Sequence, residues 1–152
     1  MVGVAAGITL TKIERITADN TGLLEQVLPH VFDDPSDPDR LAAFLAQGNH
    51  FLAVAVEGGQ VAAQIRAMVQ HQPDAPPVLY IDNLGVAEAY QRQGIGRRLV
   101  ERALAWGAGM GCDAAWVATE LDTHPALALY RAYETEMMEP VAYCQLCLTV
   151  KP

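Results

Sequence analysis

The stretch Leu84-Gly85-Val86-Ala87-Glu88-Ala89-Tyr90-Gln91-Arg92-Gln93-Gly94-Ile95-Gly96-Arg97-Arg98-Leu99 decides the fold. A β-like run, Val78 to Val86, feeds a polar loop, and a Gln-x-x-Gly-x-Gly element then opens an amphipathic helix. A helix start carries unpaired backbone N–H groups and the positive end of the macrodipole. Glycine there removes the side chain that would hold a phosphate away, so the main chain itself can wrap an anion. Arg92, Arg97 and Arg98 crowd this one loop of an acidic chain. The stretch reads as a pyrophosphate-binding loop. It differs from the dinucleotide fingerprint, because Leu99 stands where the third glycine belongs and the turn from Val86 to Gly94 is long. The Gly-Lys-Ser/Thr of a nucleotide P-loop is absent.

Outward from that loop the pattern is α/β. Ile8 to Ile13 alternates as a first strand, and a helix capped by Asp19 or Asn20 is expected through His30. Asp33-Asp34-Pro35-Ser36-Asp37-Pro38-Asp39 is an acidic turn, whose Asp37 and Pro38 suit the N-cap and first position of a helix through Leu45. Phe51 to Val56, Gly58-Gly59 and Val61 to Val69 read as a hairpin. The strand Val78 to Val86 follows, then a helix Gly94 to Ala108, a short buried strand Ala114 to Ala118, a helix Pro125 to Tyr133 and a last strand Val141 to Val150. The order is β-α-α-β-β-β-α-β-α-β, a sheet of mixed direction.

With 152 residues, 51% of them hydrophobic, the chain suits one domain with a sizeable core. A net charge of −8 argues against nucleic acid or an anionic membrane as partner and suits a cationic small molecule or peptide. No apolar run is long enough to span a bilayer, and the apolar start lacks a basic n-region. Three cysteines do not make a disulfide framework. Cys144 and Cys147 are expected as small buried hydrophobes of the last strand, and a reducing cytoplasm is the consistent compartment. His30, His50, His71 and His124 show no ligand spacing, so no metal is expected; His124 before Pro125 reads as a helix cap. Trp106 and Trp116 read as packing residues.

Gln91-Arg92-Gln93-Gly94-Ile95-Gly96, with Asn83-Leu84-Gly85-Val86 before it, resembles motif A of the GCN5-related N-acetyltransferases. Thr123-His124-Pro125-Ala126-Leu127-Ala128-Leu129-Tyr130 resembles motif B of the same superfamily. Within it, Ile81 to Val86, Arg92 to Ile95 and Pro125 to Tyr130 look most like the small aminoglycoside 3-N-acetyltransferases. The resemblance implies a single N-acetyltransferase domain over residues 1–152 with the GNAT fold. That fold is a mixed, mostly antiparallel sheet of six to seven strands with four helices, splayed between its two central parallel strands.

The resemblance also implies the chemistry. Acetyl-coenzyme A would be held by Leu84, Gly85 and Val86 along its pantetheine arm and by Gln91, Arg92, Gln93, Gly94, Ile95, Gly96 and Arg97 at its pyrophosphate. The Val86 N–H would polarise the thioester carbonyl. Tyr130 occupies the general-acid position and would protonate the departing thiolate. The base is Asp82 or Glu120, or a water relay. Relatives of this type carry Tyr-Asp before the strand's Leu where this chain has Asp82-Asn83, so the acid has moved one residue; a bulge would restore its face. After motif B, Glu134-Thr135 replaces the usual Gly-Phe. Asp33, Asp34, Asn83, Glu120 and Asp122 would meet the acceptor, an aminoglycoside amine and most directly N3 of 2-deoxystreptamine. A peptide N-terminus, a polyamine or a small metabolite is the alternative acceptor, and an acyl-coenzyme A-binding module without transfer the alternative class. A homodimer that uses the last strand is a further implication.

Overall fold

The computed structural model describes residues 11–133 and 138–149. They divide between Ala118 and Thr119 into two compact units.

The first unit is built on one sheet, β1 (Lys12–Arg15), β2 (His50–Glu57), β3 (Gln60–Gln70), β4 (Val78–Val86) and β5 (Ala114–Val117), in that spatial order. The first four strands are antiparallel and β5 runs parallel to β4. The β2–β3 hairpin forms where two successive glycines, Gly58 and Gly59, supply the positive φ of 57° and 78° that a tight turn needs.

Strand alternation gives the sheet two buried faces. Phe51 stacks on Trp106 of α2 (Ile95–Gly109), with ring centroids 5.1 Å apart. The helix sinks Ile95, Leu99, Val100, Ala103 and Gly107 into that face, the spacing of a single helical stripe. Leu52, Val54 and Val61 point to the other face, where Ile16, Leu24 and Val31 complete a core edged by Leu41 and Phe44 of α1 (Pro38–Leu45). Asp37 caps α1, its Oδ1 accepting from the Arg40 N–H at 2.9 Å, with Pro38 in the first turn as the sequence predicts.

Several expectations give way. The long helix from Asn20 to His30 is only a 3-10 turn, Thr21–Glu25. The Asn20 side chain does not cap it; Oδ1 accepts from Thr17 N–H and Nδ2 donates to the Arg15 carbonyl. Past that turn, Gln26 and Leu28 exchange backbone hydrogen bonds with Val61, and Pro29 disfavours helical geometry at Leu28. The first strand starts at Lys12, and the expected part before Thr11 lies outside the described residues. The described residues hold five strands and three α-helices, not six to seven and four.

β5 is at the sheet edge and mostly exposed rather than buried, because no described strand pairs beyond it. Trp116 is 45% exposed and stacks on Tyr80, centroids 4.1 Å apart, while its Nε1 donates to Gln70 Oε1.

In the second unit, α3 (His124–Arg131) buries Leu127. Thr123 takes the N-cap position and no side chain caps the helix, so His124 is its first residue and not its cap. Residues 138–149 form no strand; Cys144 and Cys147 are exposed free thiols. The sequence alternation there finds no described neighbour to pair with, so the thiols stay in solvent. Glu134 and Thr135, the departure after motif B, lie outside the described residues.

Candidate functional site

The ladder between β4 and β5 stops early. Val78 to Ile81 pair with Ala114 to Val117, and β4 then runs on to Val86 without β5 beside it. On its other edge β4 stays paired to β3 throughout. The Ala87 N–H donates to the Ala62 carbonyl at 2.8 Å, so alternation turns the Val86 N–H and carbonyl toward the edge that β5 vacates. The Val86 carbonyl there accepts from Gln91 Nε2 at 3.1 Å. The result is a strand edge, from Leu84 to Val86, that β5 does not pair and that suits an extended ligand.

The β3–β4 pairing slips by one residue inside this segment. Ala67 faces Ile81 and Arg66 faces Asn83, which leaves Asp82 as the extra residue of a β-bulge. The slip swaps the face of everything downstream: Leu79 and Ile81 share a side with Leu84 and Val86, and Asn83 and Gly85 take the other. Two side chains of β3 pin the bulge. Arg66 Nε donates to Asp82 Oδ2, and Gln64 Nε2 donates to Asn83 Oδ1. Arg66 and Asp82 also line a hollow of about 240 Å³ with Phe44, His50, Ala67 and Met68. A larger open hollow, about 570 Å³, is lined by Lys12, Arg98, Glu101 and Arg102 and shares no residue with the bulge.

Gln64 is 1% exposed and sits opposite Gly85. Its Nε2 also donates to the Val31 carbonyl at 3.2 Å. A Cβ on Gly85 would lie 2.2 Å from that same carbonyl oxygen, so only glycine lets the chain before the acidic turn cross β4 here. His30, with φ of 65°, makes the bend that brings Val31 over the strand. Asp33 and Asp34 follow two and three residues later, both exposed. Asp37 and Asp39 of the same turn belong to the start of α1.

Between Val86 and α2 the chain makes a 3-10 turn, Glu88–Tyr90, and a loop in which Arg92 and Gly94 both have positive φ, 62° and 77°. Gly94 is the N-cap of α2, and no side chain caps the helix. Gln93 Nε2 donates to Ala89 O across the turn, and Arg97 Nε pairs with Glu101 Oε1 one turn further along α2. The space where a Gly94 Cβ would stand is empty out to 4 Å. Left-handed twists ahead of an uncapped helix start gather backbone N–H groups into an anion-binding concavity. These residues fit a diphosphate next to a strand edge that fits an amide-bearing arm.

Tyr130 lies on α3, in the second unit, half-buried. Burial pushes its phenol up to about 12, and the Tyr133 phenol adds to the shift. Glu120 and Asp122 are exposed in the turn before α3. Among the described residues no group of three or more His, Cys, Asp and Glu is arranged to hold a metal, and no helix is long and apolar enough to cross a membrane. Sequence reasoning missed Gln64 and Arg66. The signal was there: two polar residues, two apart, in the apolar run Val61 to Val69.

A strand edge left by its parallel neighbour, a bulge, and a glycine loop opening an uncapped helix are the features of this site, and the chain belongs to the acetyltransferase (GNAT) family. The model of the acetyltransferase (GNAT) family matches residues 17–133. The chain is 32% identical over 126 residues to the N-alpha-acetyltransferase RimI of Mycobacterium tuberculosis (strain ATCC 25618 / H37Rv), covering 82% of this chain and 76% of that protein. Its fold is similar to that of the aminoglycoside acetyltransferase meta-AAC0020 from an uncultured soil metagenomic sample, solved in complex with trehalose. There the TM-score is 0.80 at 24% identity over 92% of this chain and 97% of that one. It is also similar to AAC(6')-Iy in complex with the bisubstrate analogue CoA-S-monomethyl-acetylneamine, with a TM-score of 0.73 at 18% identity over 90% and 99% of the two chains. The protein is an N-acetyltransferase whose cosubstrate is acetyl-coenzyme A.

Proposed function

We propose that the chain acetylates a primary amine of a cationic small molecule, an aminoglycoside in the leading reading, with N3 of 2-deoxystreptamine the nitrogen that the motif likeness favours. The observation that carries this is the tie of Val31 to Gln64 across Gly85, which anchors the Asp33-Asp34 turn beside the β4 bulge. Carboxylates held there would attract ammonium groups and guide their arrival. The likeness to aminoglycoside acetyltransferases supports the same class of acceptor.

In this reading Leu84 to Val86 hold the pantetheine arm, and the amides from Gln91 through Arg97 hold the diphosphate. Bound acetyl-coenzyme A supplies the thioester carbonyl that a neutral amine attacks. The Val86 N–H polarises that carbonyl. Asp82, through the Oδ1 that Arg66 leaves free, or Glu120 takes the amine proton as the N–C bond forms. Tyr130 gives its proton to the sulfur as the C–S bond breaks, and solvent restores the phenol. Three free thiols agree with a reducing cytoplasm as the place of action.

The similarity to RimI favours a second reading, transfer to a peptide α-amine. Thiol release from acetyl-coenzyme A, followed with gentamicin, kanamycin, spermidine and N-terminal peptides, tests both. Turnover confined to the aminoglycosides supports the first, and turnover confined to the peptides supports the second. Tight binding of acetyl-coenzyme A with no thiol release on any amine would instead make the chain an acyl-coenzyme A-binding module.

A further inference from the structure

The amide of Gln64 is committed on one side only. Its Nε2 serves both the Val31 carbonyl and Asn83 Oδ1, whereas its Oε1 is buried with no hydrogen-bond partner among the described residues. Turning the amide over would set Oε1 against two acceptors, so the orientation is fixed. A fixed donor fixes its acceptor. Asn83 must keep its oxygen toward Gln64, and its Nδ2 has no partner among the described residues. Asn83 is half-buried, on the β4 segment that β5 has left.

We propose that Gln64 is a positioning residue that locks the Asn83 amide with its N–H groups presented to the acceptor, so that Asn83 selects amines carrying an oxygen close to the reacting nitrogen. The proposal rests on the reading of the β4 bulge as the site of transfer. The neighbouring hydroxyl or ring oxygen of an aminosugar and the first carbonyl of a peptide both offer such an oxygen. A bare polyamine does not. Asn83 cannot take the ammonium proton, because an amide is not a base; with Gln64 on its oxygen, what it offers outward is its pair of N–H donors. This divides the work within the bulge: Asp82 presents a carboxylate oxygen, and Asn83 presents donors. It also gives a role to a buried amide in the middle of an apolar strand, where packing alone would call for Leu or Met.

Three measurements on the full chain test it, with kanamycin, an alanine-headed tripeptide and spermidine as acceptor probes. Asn83→Leu should raise KM for kanamycin or the tripeptide about ten-fold relative to spermidine, with kcat changed far less. Gln64→Leu should reproduce that KM pattern without touching the acceptor. In the native chain, NMR should show slow solvent exchange of the Gln64 side-chain amide protons and fast exchange of those of Asn83, with the Asn83 pair shifted in Gln64→Leu. Calorimetry with coenzyme A separates the two levels. No binding by the native chain would strike the reading of the site. Native-like coenzyme binding by a folded Gln64→Leu, with the KM ratio and the Asn83 signals unchanged, would overturn the locking role alone. The NMR comparison decides it even where none of the three probes is turned over.

Discussion

The Val31 carbonyl oxygen lies 2.2 Å from the point where a Cβ on Gly85 would stand. The glycine in the middle of β4 is therefore a clearance, not a hinge. It lets a loop from the N-terminal half lie across the strand, and Gln64 closes the contact from below.

Gly85→Ala should accordingly push Val31 off the strand. Overpacking of this kind costs about 1–3 kcal/mol, and about 2 kcal/mol corresponds to a fall in Tm of roughly 4–8 °C in a chain of this size. Thermal denaturation by circular dichroism measures it. The same substitution should weaken the acceptor more than coenzyme A, because the displaced segment carries Asp33 and Asp34.

Gly94 is the opposite case, with open space around it and a φ of 77°. Gly94→Ala should cost about 1–2 kcal/mol through left-handed backbone strain alone. Relaxation of that strain would rotate the amides ahead of α2, so coenzyme A affinity measured by calorimetry should fall along with Tm.

Tyr130→Phe should lower kcat by about 10²-fold, the range of general acid catalysis, and leave acetyl-coenzyme A affinity near native. Since burial raises the phenol to about 12, the proton is in place across the whole neutral range. An alkaline fall of kcat due to this group belongs above pH 10. The stability linkage has the same sign: a phenol raised above its ordinary value near 10 favours the folded state fully below pH 10. That contribution declines as pH climbs from about 10 to about 12. Rate–pH profiles and alkaline unfolding of the native chain and Tyr130→Phe check both statements.

Replacing Asp33 and Asp34 together by Asn should raise the KM for kanamycin several-fold at low salt, with the difference shrinking toward physiological ionic strength. Stability should stay within about 0.5 kcal/mol of native, because both side chains are exposed.

Much of this was legible in the sequence, where local rules act alone. The hairpin at Gly58-Gly59, the strand Val78–Val86, the cap at Asp37 and the helix after Gly94 each follow from a turn, a cap or a period. The bulge was legible too, since apolar residues run 79, 81, then 84, 86, a slip of phase within one strand. The failures lie where tertiary pairing outbids local preference. Residues 26–28 had a helical stripe but spend their backbone on Val61. The alternation of Val141 to Val150 promised a strand, yet alternation cannot say which neighbour will take it. Gln64 could be seen as odd, but only the crossing of Val31 shows what its amide is for.

The extra residue at Asp82 has one more implication. Because Ile81 and Asn83 already face consecutive residues of β3, Ala67 and Arg66, excising Asp82 would close the ladder into a regular one and leave both halves of the strand facing as they do now. The scaffold can spare this position. A deletion that folds normally yet acetylates poorly would mark residue 82 as a rung kept for its reactivity, independent of the architecture that carries it.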